Sequence, residues 1–355
     1  MGSIRTVRRC RAALFLSFLA LTSLFIWQCP AQRPYSPFYG LVDPIDTTSR
    51  FAIVTFLGSD TARKEEDKYF VACRLLTYQL LYANETRIRD ELRDKVDWVV
   101  TVTADVAHWK REQLEADGAK IVELEDVPLR WWIKTGVSRW KDQFTKLRLL
   151  LWTEYSRVLF VDADTLLQGP LDGIFFTRES IIPAKTDFRY RKGDEADLPA
   201  EYVFLAAQDH QFTGKRKHAV PPDGKETTGS LSAGFWLAAP SRELYAYLMS
   251  VMTHYYRFDP KTMEQSLLNY AFRRCDVSGK EREASRECPP GRRPGPMPWR
   301  ELDWHWSASW PSMDDAHAGV VSLHEKLWKA GPKGLKRRWR NWRWEMEDEL
   351  GHSYG

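Results

Sequence analysis

Cysteine is scarce in this chain of 355 residues: there are five, an odd number, and none sits at a spacing that suits a zinc site. Nor is there a glycine fingerprint of the kind that cradles a dinucleotide, or any internal repeat. These absences exclude a zinc-organised module, a nicotinamide-type site and a solenoid. Charge of one sign is lacking too, since 52 Lys and Arg against 48 Asp and Glu leave a net +4. So small a surplus gives no support to nucleic acid as a partner. What is present is ordinary for a folded body, with 43% hydrophobic and 28% charged residues in one large domain or two modest ones. Tryptophan is the outlier at 16 copies, many of them in the last sixty residues. Indole rings serve a core, but they also offer flat faces to sugars or bases.

Arg5, Arg8, Arg9 and Arg11 precede an apolar run of 16 residues, Ala12 to Trp27. A positive flank followed by an apolar segment is the pattern of a secretory signal or a signal anchor. The run is short of the ~20 residues that span an average bilayer. Cys29-Pro30-Ala31 is a poor cleavage site, so the expectation is an uncleaved anchor with its arginines in the cytosol and its body in the lumen. That gives a cytosolic basic tail over 1–11, a signal-anchor over 12–28 and a Pro/Gly/Ser/Thr-rich stem over 29–49. Asn84-Glu85-Thr86 is a glycosylation sequon usable in that compartment. Cys275 and Cys288 bracket a polar loop and could pair there, Cys73 reads as a buried thiol, and Cys10 and Cys29 flank the anchor.

Beyond the stem, Phe51 to Leu57 predicts a buried strand, Lys68 to Tyr82 a helix, and Asp97 to Val102 a second strand. A helix over Ala107 to Ala116 and a third strand over Lys120 to Leu124 follow. Strand and helix in alternation imply right-handed crossovers and a parallel sheet. Asp142 to Trp152 is helical in pattern, Lys215 to Ser230 a long loop, Leu231 to Ala238 a strand, and Ser241 to Tyr256 and Thr262 to Arg273 amphipathic helices. The Trp- and Arg-rich end from Trp328 reads best as a packed amphipathic helix with a basic outer face.

The chain turns on Arg157-Val158-Leu159-Phe160-Val161-Asp162-Ala163-Asp164-Thr165-Leu166-Leu167. An apolar run without alternation fits a strand buried on both faces, and ligands gather beyond the carboxyl ends of such strands. Two carboxylates one residue apart repel each other unless one is protonated or a cation lies between them. A hard divalent ion, Mg²⁺ or Mn²⁺, resolves the conflict and bridges to phosphate; an acidic turn closing a strand is the plainer alternative.

Phe144-Thr145-Lys146-Leu147 followed by Tyr155-Ser156-Arg157 and the Asp162-Ala163-Asp164 segment resembles glycosyltransferase family 8, the glycogenin-like enzymes. The short basic end, the anchor and the Trp-rich tail are similar to that family's fungal N-acetylglucosaminyltransferase-like branch. The resemblance implies an α/β GT-A fold, a single Rossmann-like domain over 50–330 with a mixed, mostly parallel sheet, and a basic Trp-rich tail over 331–355. It implies a retaining transfer of a hexose or N-acetylhexosamine, GlcNAc or Glc, from a UDP-sugar to a glycan or glycoprotein. It also implies Mn²⁺ (or Mg²⁺), and a Golgi type II membrane location with the catalytic domain in the lumen.

By the same resemblance the metal ligands fall on Asp162, Asp164 and His324, with Asp164 the more direct and Asp162 shared with the ribose. Either Lys326 or Lys329 takes the diphosphate-binding part, because the glycine and the Lys-Pro-Trp that usually follow this histidine are absent. Lys146 and Ala163 lie beside the donor, while Thr55, Phe56 and Leu57 border the uracil pocket. Ser232 and Gly234 match an Asn-Ser-Gly segment that contacts the donor sugar, with serine in place of asparagine. Met263 to Asn269 resembles an Asp-Gln-x-x-Leu-Asn helix, with Glu264 in place of the aspartate and Gln265 matching the glutamine, and Asp209 matches another acid of the site. Front-face attack needs only positioning, whereas a covalent route needs a carboxylate under the sugar, Asp209 or Glu264. Two rivals are a metal-dependent nucleotide-sugar hydrolase or nucleotidyltransferase, and a non-catalytic lumenal sugar-binding protein.

Overall fold

The computed structural model describes residues 49–58, 67–136, 138–209, 230–275 and 293–351. The expected cytosolic tail, anchor and nearly all of the stem lie outside these residues, as do Cys10, Cys29, Cys288 and nearly all of the 215–230 loop. No helix among the described residues is long and apolar enough to cross a membrane. Cys275 is disulfide-bonded, to a partner outside the described residues. Asn84 is exposed after the first helix, whereas the Thr86 hydroxyl is buried and donates to the Gln79 carbonyl at 2.6 Å.

A mixed sheet of seven strands carries the body. Its strands are β1 (Phe51–Leu57), β2 (Val96–Val102), β3 (Lys120–Glu123), β4 (Arg157–Val161), β6 (Phe204–Gln208), β7 (Leu231–Ala238) and β8 (Arg300–Glu301), in the order β8-β6-β7-β4-β1-β2-β3. All run one way except β7, which is antiparallel to both β4 and β6. The mixture follows from the sequence. Short helical crossovers join β1 to β2 and β2 to β3, namely α1 (Lys68–Leu81) and α2 (His108–Ala116). Every residue of β1 and β7 is buried, the signature of strands covered on both faces. Period-2 alternation sorts β4 between two cores: Val158 and Phe160 join Trp236 and Phe144, while Leu159 and Val161 join Ile53 and Phe175.

A second sheet of three strands decides where the site forms. It comprises β5 (Thr165–Leu167), β9 (Ser307–Ser309) and β10 (Ser322–His324), with β10 antiparallel to β5. The segment 138–151, expected as a helix from Asp142, is a 3-10 helix, Ser138–Leu151. On the β7 side lie α3 (Arg242–Thr253) and α4 (Met263–Ala271).

Past 330 the chain folds back as α5 (Lys333–Leu350). Its buried Leu335, Trp339 and Met346 close a third core with Val71 and Leu75 of α1, Leu166 of β5 and Leu323 of β10. The far end is tied down by Arg74, itself buried. The guanidinium meets Asp117 at 2.6 Å and 3.0 Å and also donates to the Gly351 carbonyl at 3.0 Å. A cation on the last carbonyls of a helix suits both the unpaired acceptors and the helix dipole.

Candidate active site

Two strand registers bring the expected residues together. Antiparallel pairing of β4 with β7 sets Val161 opposite Phe235, and one step on the Asp162 N–H donates to the Gly234 carbonyl at 2.8 Å. Pairing of β5 with β10 sets Thr165 opposite His324, and the Glu325 N–H donates to the Asp164 carbonyl at 3.0 Å. Ladders on either side of one short segment therefore deliver a histidine 160 residues away to the two aspartates.

Asp162, Asp164 and His324 each offer one ligand atom within 4.8 Å of the others. His324 Nε2 lies 3.0 Å from Asp164 Oδ1 and 3.6 Å from Asp162 Oδ2. Neighbouring ligands of an octahedral ion held at about 2.1 Å are separated by about 3 Å, so these spacings suit a small hard cation after slight adjustment. The donor set, two carboxylates and one imidazole, is one that Mn²⁺ or Mg²⁺ accepts. The remaining carboxylate oxygens face lysines. Asp162 Oδ1 takes Lys146 Nζ at 2.8 Å, and Asp164 Oδ2 stands 3.6 Å from Lys326 Nζ.

The field here seeks positive charge. Burial opposes a charge on His324, but Asp164 and then Asp162 outweigh it and lift the imidazole pKa to about 9. Burial likewise opposes ionisation of Asp164, yet His324 and Lys326 hold its carboxyl far below the usual range. Nδ1 of His324 is buried with no hydrogen-bond partner, so the acceptor that commonly fixes a ligating imidazole from behind is missing. What fixes this ring is close packing against Gly234, where an added Cβ would lie 2.5 Å from His324 Cε1 and 2.7 Å from Asp162 Oδ2.

Lys146 comes from the 3-10 helix and is 3% exposed. It bonds Asp162 and also Glu264 Oε1 at 3.1 Å, and its ammonium lies over the Phe160 ring. Burial works against its charge, but the two carboxylates more than offset this and raise its pKa. Burial raises the pKa of Glu264, with Lys146 pulling the other way. Lys146→Met leaves two carboxylates without their shared cation. The expected loss is roughly 3–5 kcal/mol of folding stability, read as a lower urea midpoint with an unchanged slope. An unshifted midpoint would show that the buried pair contributes nothing.

Gln265 and Asn269, one turn apart on α4, bind β7 by its backbone. Gln265 Oε1 accepts from Ala233 N at 3.1 Å while its Nε2 donates to Asp209 Oδ2 at 2.6 Å. Asn269 accepts from Leu231 N at 2.9 Å and donates to Leu231 O at 3.1 Å. Asn269 closes the same seven-residue segment of resemblance as Gln265, and the spacing of four puts both on one helix face. Ser232 is buried and accepts from the Gly234 N–H at 3.3 Å, and Ala163 is buried between the aspartates. Of the two candidate lysines, Lys326 stands beside Asp164, whereas Lys329 is exposed and no ion pair joins it to the aspartates. Thr55, Phe56 and Leu57 occupy the carboxyl end of β1, but the Phe56 and Leu57 side chains are built into the two cores and the Thr55 hydroxyl is buried.

No family model matches the chain. It is 28% identical over 324 residues to an uncharacterized protein of Schizosaccharomyces pombe, covering 83% of this chain and 76% of that one. A putative glucuronosyltransferase of Arabidopsis thaliana is 30% identical over 139 residues, 37% of this chain and 28% of that protein. Among solved structures, the galactosyltransferase LgtC in complex with donor and acceptor sugar analogs superposes with a TM-score of 0.46 at 14% identity, covering 85% of this chain and 96% of that one. The chain is similar to glycosyltransferases. The mixed, mostly parallel sheet fits the GT-A-type architecture expected of such a chain.

Proposed function

We propose that the protein is a retaining glycosyltransferase that moves a hexose or N-acetylhexosamine, GlcNAc or Glc, from a UDP-sugar to a glycan or glycoprotein. The observation that carries this reading is the triad of Asp162, Asp164 and His324 beyond the carboxyl ends of parallel strands, bracketed by Lys146 and Lys326. The triad would hold Mn²⁺ or Mg²⁺, which when bound supplies Lewis-acid stabilisation of charge on a departing diphosphate. The anchor expected over 12–28 makes the reading one of a Golgi, type II membrane enzyme with its site in the lumen.

The chain's own groups do the rest. Lys326 is half-exposed and is the cation placed to meet a diphosphate oxygen. Lys146 bonds Asp162 and so orients its carboxylate. Gln265 has both ends of its amide engaged and sets the position of β7 where Ser232 and Gly234 face the site. Neither candidate nucleophile stands ready: Glu264 is 2% exposed and held by Lys146, and Asp209 is 4% exposed and bonded to Gln265. That favours front-face displacement, in which the leaving phosphate takes the acceptor's proton, over a covalent intermediate.

The test is a panel of UDP-sugars with Mn²⁺ or with EDTA, scored by transfer to glycan acceptors and by the anomeric configuration of the product. One UDP-sugar is expected to give cation-dependent transfer with retention. Absence of transfer from every donor, or hydrolysis that ignores the acceptor, would overturn the reading.

A further inference from the structure

The mechanism leaves unused a group of aromatic rings that the fold holds in water. Trp131 is 79% exposed, Tyr255 64% and Tyr256 61%, among the most exposed large apolar side chains described. They are not scattered. Trp131 and Tyr255 stack with centroids 5.6 Å apart and planes 22° from parallel. Tyr256 meets Tyr255 edge-on at 4.6 Å, and Trp132 lies beneath both tyrosines at 6.1 Å and 5.7 Å. Trp132 is 5% exposed, and its indole N–H is buried with no hydrogen-bond partner. Tyr256 has φ of +49°, a left-handed backbone that a bulky residue adopts only where its surroundings impose it, as at ligand clamps.

The rings also stand at the right edge of the sheet. Trp131 belongs to the loop that leaves the carboxyl end of β3, the edge at which Asp162 follows β4, because β3 and β4 run the same way. Tyr255 and Tyr256 lie in the segment that enters α4, whose second residue, Glu264, binds Lys146. Phe258 ties the two together, packing on Trp132 at 5.2 Å and on Phe144 at 6.3 Å, two residues before Lys146.

We propose that Trp131, Tyr255 and Tyr256, seated on Trp132, form a stacking subsite for the neutral glycan acceptor. A pyranose lays its C–H face on an aromatic ring and keeps its hydroxyls in water, which suits flat rings that are exposed and wet. Size agrees. Three rings of at most about 250 Å² each, only partly covered by a ligand, fall below the roughly 800 Å² per side of a stable protein interface but suffice for one or two sugars. The proposal rests on the transferase reading for the ligand's part in the reaction, not for its binding.

The experiment therefore omits the donor. Full-length wild type, Trp131→Ala, Tyr255→Ala and Trp131→Phe are passed over immobilised oligosaccharides of mannose, glucose, galactose and N-acetylglucosamine, and UDP binding with Mn²⁺ is measured separately. Wild type should be retained by at least one oligosaccharide. Each alanine variant should lose tenfold or more in affinity, Trp131→Phe should keep most of it, and UDP affinity should not change. Both alanine variants are at exposed positions, and circular dichroism checks that they fold. Failure of wild type to bind any oligosaccharide, or alanine variants that bind as wild type does, would overturn the subsite. Glycan retention without UDP binding would instead sink the transferase reading and leave the subsite standing.

Discussion

Asp164→Ala is expected to lower cation-dependent sugar transfer by on the order of a thousandfold. Asp164 joins every part of the site. One oxygen faces His324, the other faces Lys326, and its carbonyl receives the Glu325 N–H. Removing the side chain leaves one carboxylate and a neutralisable imidazole, a set that cannot compete with water for a hard divalent ion. The backbone bond to Glu325 survives, so the strand pairing of β5 with β10 should persist and the protein should stay folded. Transfer assays across Mn²⁺ concentrations, with a thermal melt beside them, separate the outcomes. Activity within tenfold of wild type at saturating donor, with an unchanged Mn²⁺ response, would show that Asp164 is not a ligand.

Gly234→Ala is expected to cost about a hundredfold, from a residue with no functional group. Its backbone needs no glycine for conformational reasons; the requirement is space. An added methyl would sit 2.5 Å from His324 Cε1, 2.7 Å from Asp162 Oδ2 and 2.9 Å from His324 Nδ1. All three lie well inside van der Waals contact, so the imidazole or the carboxylate has to move. Displacing one of three ligands by about 1 Å weakens cation binding and misplaces whatever the cation holds. The signature is a raised Mn²⁺ requirement at near-normal melting temperature, followed by Mn²⁺ titration monitored by electron paramagnetic resonance. A wild-type Mn²⁺ affinity would mean that the ring is free to rotate away and does not serve as a ligand.

The parts of this fold that can be read along the chain are the local ones. β1 and β4 announce themselves as apolar runs, α1 and α2 by their period, and Asp162 and Asp164 by their place after a buried strand. Long-range pairing is harder to see. His324 could be named from the resemblance, but its route to Asp164 depends on two three-residue strands too short to leave a pattern. Lys146 and Glu264 are 118 residues apart, and nothing local marks them as one buried pair. Lys146 itself is 3% exposed and bonds Asp162. Thr55, Phe56 and Leu57 can be placed at the end of a strand from the apolar run, and the two cores take the Phe56 and Leu57 side chains.

Helix α5 packs on Leu166 and Leu323, the neighbours of Thr165 and His324. It is the buttress behind the two short strands, and Arg74 bolts its far end to α1. The stiffness of the candidate site is thus set from the back of the molecule. A change that loosens Trp339 or Leu335 would leave every ligand in place on paper while letting His324 drift from its partners. The stretch of chain that looks most like an appendage is the part that keeps the site in tune.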